Sequence, residues 1–156
     1  MEFNELIEAF AAKYGIEGLV PEDGVASIVV DGMKCMILDD EESDSIAVCG
    51  EIGHPPPDAN GPFGELMLKA NFLLQGSSGS VLSMSPQTGE YVVFRKIQRP
   101  SVDLDALSSA IEKVADQMTD WKNILNGMKE AEDKAKDQDH SKPEFSPFSP
   151  SGFMQV

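Results

Sequence analysis

The chain has 156 residues, with 12 basic and 27 acidic side chains that give a formal net charge of −15. This length is enough for one domain with its own core, without disulfides or a structural metal. Phosphate backbones and anionic membranes repel so acidic a chain, which argues against nucleic acid or a membrane as its partner. A basic or apolar polypeptide is the more natural partner.

The few cysteines and histidines argue against a metal or cofactor. Cys35 and Cys49 lack the CxxC spacing, and His54 and His140 add too few nitrogen ligands for structural zinc. The N-terminus is acidic where a signal peptide is basic, and no apolar stretch approaches the ~20 residues that cross a bilayer. We expect a protein of the bacterial cytoplasm with reduced thiols, no metal and no cofactor.

The spacing of apolar residues predicts an α+β fold. Gly15 ends the first helix, and Asp103 can cap the last one. The order α-β-β-β-α-β-β-α indicates three helices and a mainly antiparallel five-stranded sheet. The predicted elements are a helix over 3–14, strands over 25–31, 33–38 and 45–52, a helix over 63–75, strands over 80–84 and 90–97, and a long helix from 104.

The dipeptide Asp31-Gly32 fixes the register of the first hairpin, because it is typical of a two-residue type I′ turn. One face of the hairpin is then wholly apolar and belongs in the core. It comprises Ala26, Ile28, Val30, Met33, Cys35 and Ile37. The opposite face is mixed and carries more aliphatic area than a solvated sheet face needs. It comprises Val25, Ser27, Val29, Lys34, Met36 and Leu38.

The third strand continues both faces of the sheet. Its best core face contains Ile46, Val48 and Ile52, which leaves Ala47 and Cys49 on the mixed face. In this register Cys35 and Cys49 point to opposite faces, so they cannot form a disulfide within one subunit.

The middle helix is apolar on two sides. Its broad stripe contains Phe63, Leu66, Met67, Ala70, Leu73 and Leu74. Leu68 and Phe72 lie nearly opposite that stripe. A helix that is apolar on two sides needs two partners, and the second could be another subunit.

The last part of the chain differs in composition from the rest. We expect a folded domain over residues 1–128 and a charged helix end with a Pro/Ser/Phe tail over 129–156, disordered from Asp137 onward. Within the tail, the segment Glu144–Pro150 is either a docking motif or a flexible solubilising tail.

No arrangement of residues predicts catalysis. His54 lies among prolines, no serine has the G-x-S-x-G context, and the glycines at 76–79 follow a helix instead of preceding one. The acidic segment Asp39–Asp44 lacks the spacing and the central glycine of a calcium loop, which favours a solvated hairpin end. We assign no catalytic residue and no metal ligand.

The element order and several segments resemble the class I type III secretion chaperones, also called the Tir chaperone family. The resemblance covers about residues 5–125. It rests on LIEAFAAKYGI at 6–16, DGVASIVVD at 23–31, LKANFLLQG at 68–76, GSVLSMSPQTGEYVVF at 79–94 and ADQMTDWKNIL at 115–125.

This resemblance implies a virulence-associated protein-transport function. Proteins of this family are homodimers that bind an unfolded segment of one secreted effector, without ATP, and keep it competent for secretion, and the resemblance implies the same here. It implies that the effector binds apolar patches, which we take to be the mixed sheet face with Val25, Val29, Met36, Leu38 and Ala47. It also implies that the middle helix takes part in dimerisation; Leu68 and Phe72 are the candidate interface residues, and the sequence leaves open which of the two apolar sides faces the partner subunit. The alternative is an α+β regulatory or sensory module that binds a folded protein or small ligand in a deep, closed pocket.

Overall fold

The computed structural model describes residues 1–141, without the side chains of 138–141. The tail segment Glu144–Pro150 therefore lies outside the described residues. The elements are α1 (Phe3–Tyr14), β1 (Val25–Val30), β2 (Met33–Asp40), β3 (Ser45–Gly53), α2 (Asn60–Ala70), β4 (Val81–Met84), β5 (Tyr91–Gln98) and α3 (Leu104–Ser141). Short 3₁₀ turns occupy Pro57–Ala59, Phe72–Leu74 and Arg99–Ser101.

The five strands form one antiparallel sheet in the order β1-β2-β3-β5-β4. This confirms the predicted fold class. The first hairpin has the predicted register, with Val30 opposite Met33 and Ile28 opposite Cys35. Asp31 and Gly32 have φ angles of 50° and 76°, the left-handed values that a type I′ turn requires.

The core lies on one side of the sheet, called here the inner side. All three helices contribute to the same cluster of buried side chains there. From α3 it receives Leu107, Ala110, Ile111, Val114, Met118, Trp121 and Leu125. The Asp103 Oδ1 atom accepts a hydrogen bond from the Ala106 N–H at 2.7 Å, so Asp103 caps α3 as predicted.

The middle helix is shorter than predicted at its C-terminal end. It ends at Ala70, and the backbone then turns through Leu73 and Leu74, with φ angles of 52° and 55°. Two contacts hold this turn in place. The Asn71 side chain exchanges hydrogen bonds with the Leu82 N–H and C=O, and the Gly76 N–H donates to the Ala70 carbonyl oxygen at 3.1 Å.

The early end of α2 changes its apolar surface. Phe63 and Met67 are buried as predicted, but Leu73 is 73% exposed, so the prediction that one continuous buried stripe runs to Leu74 is wrong. The helical period predicts the positions of side chains only while the backbone stays helical.

Helix α3 extends past the core. Met128 is its last residue packed against the core cluster, and the helix continues to Ser141. Asp137, where the sequence predicted the start of disorder, is still helical. At ~1.5 Å per residue, the part of α3 beyond Met128 projects about 20 Å past the core.

Candidate polypeptide-binding site

The side of the sheet opposite the helices is apolar and is called here the outer face. Cross-strand pairing places its side chains in rows. One row crosses the sheet through Ser27, Met36, Cys49, Phe94 and Val81, and the next through Val25, Leu38, Ala47 and Lys96. None of these side chains belongs to the core cluster on the inner side. The helices therefore leave this face to whatever binds from outside.

The five residues predicted to bind a polypeptide all lie on the outer face, at different depths. Val29 is 73% exposed, whereas Val25, Met36 and Leu38 are partly covered by their neighbours. Ala47 is only 7% exposed, because it lies on the floor of the face between larger side chains.

A hollow of about 380 Å³ lies over Ala47 and is open to solvent. Leu38, Cys49 and Phe94 form its apolar wall, and Asp39, Asp40 and Lys96 complete its lining. Sequence reasoning missed Phe94, although the alternation in Tyr91-Val92-Val93-Phe94 indicated which side chains share a face. What the sequence did not show was that β5 pairs with β3.

The charged groups at the rim of the hollow are bound to one another. The Lys96 ammonium donates hydrogen bonds to Asp40 Oδ2 at 2.5 Å and to Ser43 Oγ at 3.1 Å. These two partners, Lys96 first, lower the pKa of Asp40 from its ordinary value to about 2. Arg99 forms ion pairs with Asp39 and Asp44. Most carboxylates of the acidic segment therefore already have cationic partners within the chain.

The two cysteines lie on opposite faces, as the register predicted. Cys35 is fully buried and its Sγ lies 3.5 Å from Met118 Sδ, and burial raises the pKa of its thiol to about 11. Cys49 is partly accessible on the outer face, and burial, with a contribution from Glu51, raises the pKa of its thiol. Neither thiol is activated as a nucleophile.

The two edges of the sheet differ in whether they can accept another strand. On β4, the Asn71 side chain already occupies the backbone N–H and C=O of Leu82. On β1, the backbone groups of Val25 are already bonded to Glu22. The Asp39 N–H donates to the Gly24 carbonyl, and because backbone groups alternate in direction along a strand, those of Ser27 and Val29 point away from β2. Within residues 1–141, those two residues offer four backbone groups to a partner strand.

A second apolar surface lies on and just after α2 and is called here the α2 patch. Leu68 and Phe72 are 72% and 70% exposed. Leu66, Leu73 and Leu74 of the same segment are also exposed, but Leu66 lies on the opposite side of α2 from Leu68, so the α2 patch is defined by Leu68 and Phe72. Large apolar side chains that are exposed in this way make the α2 patch a candidate contact surface.

The residues considered for other chemistries lie apart from both surfaces. His54 is on the surface, with its Nε2 atom 3.8 Å from a Glu90 carboxylate oxygen. Among residues 1–141, no group of three or more His, Cys, Asp or Glu side chains is arranged to hold a metal ion. No helix in that part of the chain combines the length and the apolarity needed to cross a bilayer.

These features define an α+β protein with a one-sided sheet and two exposed apolar surfaces, and the family comparison agrees with that class. The model of the Tir chaperone protein (CesT) family matches residues 5–122. The chain belongs to the Tir chaperone family. A search of curated proteins found no significant match.

Solved structures with the same fold include chains from three complexes. A chain from the HopA1–SchA chaperone–effector complex is 19% identical, with a TM-score of 0.66 over 78% of this chain and 93% of that one. A chain from the ExsC–ExsE complex is 14% identical, with a TM-score of 0.63 over 78% of this chain and 92% of that one. A chain from the ExoU–SpcU complex of the type III secretion system of Pseudomonas aeruginosa is 16% identical, with a TM-score of 0.62 over 76% of this chain and 97% of that one.

Proposed function

We propose that this protein is a type III secretion chaperone of the bacterial cytoplasm. It binds the unfolded chaperone-binding segment of a secreted effector and has no catalytic activity. The observation that carries the proposal is the uncovered outer face, where Val29 is 73% exposed while Ala26 and Ile37 on the inner side are fully buried. Family membership and the fold shared with chains of chaperone–effector complexes support it.

The effector segment binds on the outer face in an extended conformation. Its side chains fill the hollow over Ala47 and contact Val25, Val29, Met36 and Leu38. Each Å² of apolar surface removed from water contributes about 25 cal/mol, so a segment that covers this face can offset the cost of its own ordering.

Backbone pairing favours β1 over β4 as the docking edge. The free N–H and C=O groups of Ser27 and Val29 can extend the sheet by one strand, whereas Asn71 blocks Leu82 at the other edge. The same two β1 residues present their side chains to the outer face, so one bound strand would use both the edge and the face.

The net charge of −15 restricts the chemistry of the effector segment. An acidic segment would be repelled, whereas an apolar segment with basic residues at its ends would be attracted. The alternative of a small-molecule or sensory module is less favoured, because the hollow over Ala47 is open to solvent instead of closed.

The α2 patch is the proposed dimer interface, with Leu68 and Phe72 at its centre. It is separate from the outer face, so a dimer leaves both outer faces free for effector. Burial of two such patches against each other would remove from water the largest exposed side chains of α2.

The test is co-purification with the protein encoded beside this one. We expect a stable complex, and we expect Val29→Glu to weaken it at least about tenfold, because a carboxylate placed under the bound segment loses its water. Ala12→Glu is the control, because it adds the same charge at an exposed position of α1, on the helix side of the sheet and away from the outer face. A monodisperse monomer without any bound polypeptide, or a Val29→Glu variant that binds like wild type, would refute the proposal.

A further inference from the structure

The composition of residues 142–156 is unusual for a tail. These 15 residues hold Phe145, Phe148 and Phe153, three of the eight phenylalanines in the chain, together with Met154. They contain one basic and one acidic residue, so the full net charge of −15 falls on residues 1–141. The tail therefore has no net charge for the acidic body to repel, and it carries aromatic side chains of the kind that an apolar face binds.

We propose that this tail folds back onto the outer face of its own subunit, with Phe153 and Met154 in the hollow beside Cys49 and Phe94, and that it occupies the face until an effector segment displaces it. The displacement step rests on the proposed function above. The docking itself does not.

The length of α3 decides which tail residues can reach the hollow. Leu125 of α3 lies against Gly53 at the end of β3, so the 16 residues from Leu125 to Ser141 carry the chain about 24 Å beyond that end, and Cys49 lies four residues, about 13 Å, inside it. Phe145 and Phe148 follow Ser141 by four and seven residues, which span about 13 and 23 Å when extended, too short to return.

The later pair has enough chain to reach. Phe153 and Met154 follow Ser141 by 12 and 13 residues, which span about 40 Å or more. This exceeds the roughly 37 Å between the end of α3 and Cys49 along the strand direction. The tail thus contains both a pair that can dock and an aromatic pair that cannot.

Cys49 is a built-in reporter of this contact, because it lies in the wall of the hollow and is partly accessible. The experiment measures the rate at which N-ethylmaleimide alkylates Cys49 in the full chain, by intact mass. A Cys49→Ser variant supplies the baseline. Alkylation of the buried Cys35 would report unfolding, so a variant that fails to fold is recognised at once.

We expect the double variant Phe153→Ser/Met154→Ser to label about fivefold faster than wild type, the change that ~1 kcal/mol of net docking free energy produces. The matched control, Phe145→Ser/Phe148→Ser, should label at the wild-type rate. Equal rates in all three proteins would overturn the proposal, and so would acceleration by the control pair alone.

Two further outcomes are decisive. A wild-type rate that rises on dilution would assign the tail to a neighbouring subunit and overturn docking within one subunit. Because the assay contains no effector, failure of tail docking leaves co-purification with the neighbouring protein unaffected. Loss of co-purification, in turn, leaves the alkylation rates unchanged.

Discussion

The pKa of the exposed Asp40 carboxylate is set mainly by two neighbouring side chains. Lys96, followed by Ser43, lowers the pKa of Asp40 to about 2. The pair is exposed and closes the end of the β2–β3 hairpin beside the hollow. The ionised form of Asp40 is therefore favoured by folding, and it connects hairpin stability to acid pH.

The pH dependence has a definite sign. The pKa of Asp40 is lower in the folded than in the unfolded protein, so its stabilising effect is complete above the unfolded pKa of ~3.9 and is lost as pH falls through about 2. We expect Lys96→Met to return the pKa of Asp40 toward its ordinary value, as measured by NMR titration of the side-chain carboxyl. A low pKa that persists without Lys96 would show that Ser43 alone suffices.

At the residue scale, the sequence predicted which side chains belong to each face but not how deep they lie. Val29 and Ala47 share the outer face as predicted, yet Val29 is exposed and Ala47 is nearly buried. The difference comes from Phe94 and Lys96, which reach Ala47 only because β5 pairs with β3. Long-range pairing of this kind leaves no trace in local periodicity.

Between elements, α3 approaches the sheet closely at Gly50. A Cβ atom at that position would overlap Met118 Sδ and lie 2.6 Å from Met118 Cγ. Met118 is fully buried against Cys35 and cannot move away freely. The absence of a side chain at Gly50 is what lets α3 pack on β3.

We therefore expect Gly50→Ala to lower the free energy of unfolding by about 1–3 kcal/mol, the usual cost of overpacking a core. Urea denaturation measures it. Gly127→Ala is the control and should raise the free energy of unfolding. That exposed glycine in α3 has open space around it, and alanine favours the helix over glycine by about 1 kcal/mol. Equal stability of Gly50→Ala and wild type would mean that Met118 has room to repack.

The β1–β2 hairpin and the C-terminal end of α2 were predicted with opposite success, because different kinds of contact determine their backbone structure. The β1–β2 hairpin was predicted residue by residue, because Asp31 and Gly32 alone impose its turn. The end of α2 was predicted wrongly, because it depends on hydrogen bonds between Asn71 and Leu82, eleven residues away. Local turn chemistry can be recognised in a sequence, whereas a side chain bonded to a distant backbone cannot.

For the whole molecule, the separation of the outer face from the α2 patch predicts that assembly and effector binding can be lost independently. We expect Leu68→Glu/Phe72→Glu to sediment as a monomer, because charges of equal sign would face each other across the interface. Val29→Glu is the matched control and should remain dimeric. A wild-type monomer, or a dimer that survives the double variant, would exclude the α2 patch as the interface.

The helices contribute their buried side chains to the inner side, so exposed side chains on the outer face, such as Val29, take no part in the core. Substitutions at those exposed positions can therefore change which polypeptide is bound at little cost to the stability of the fold.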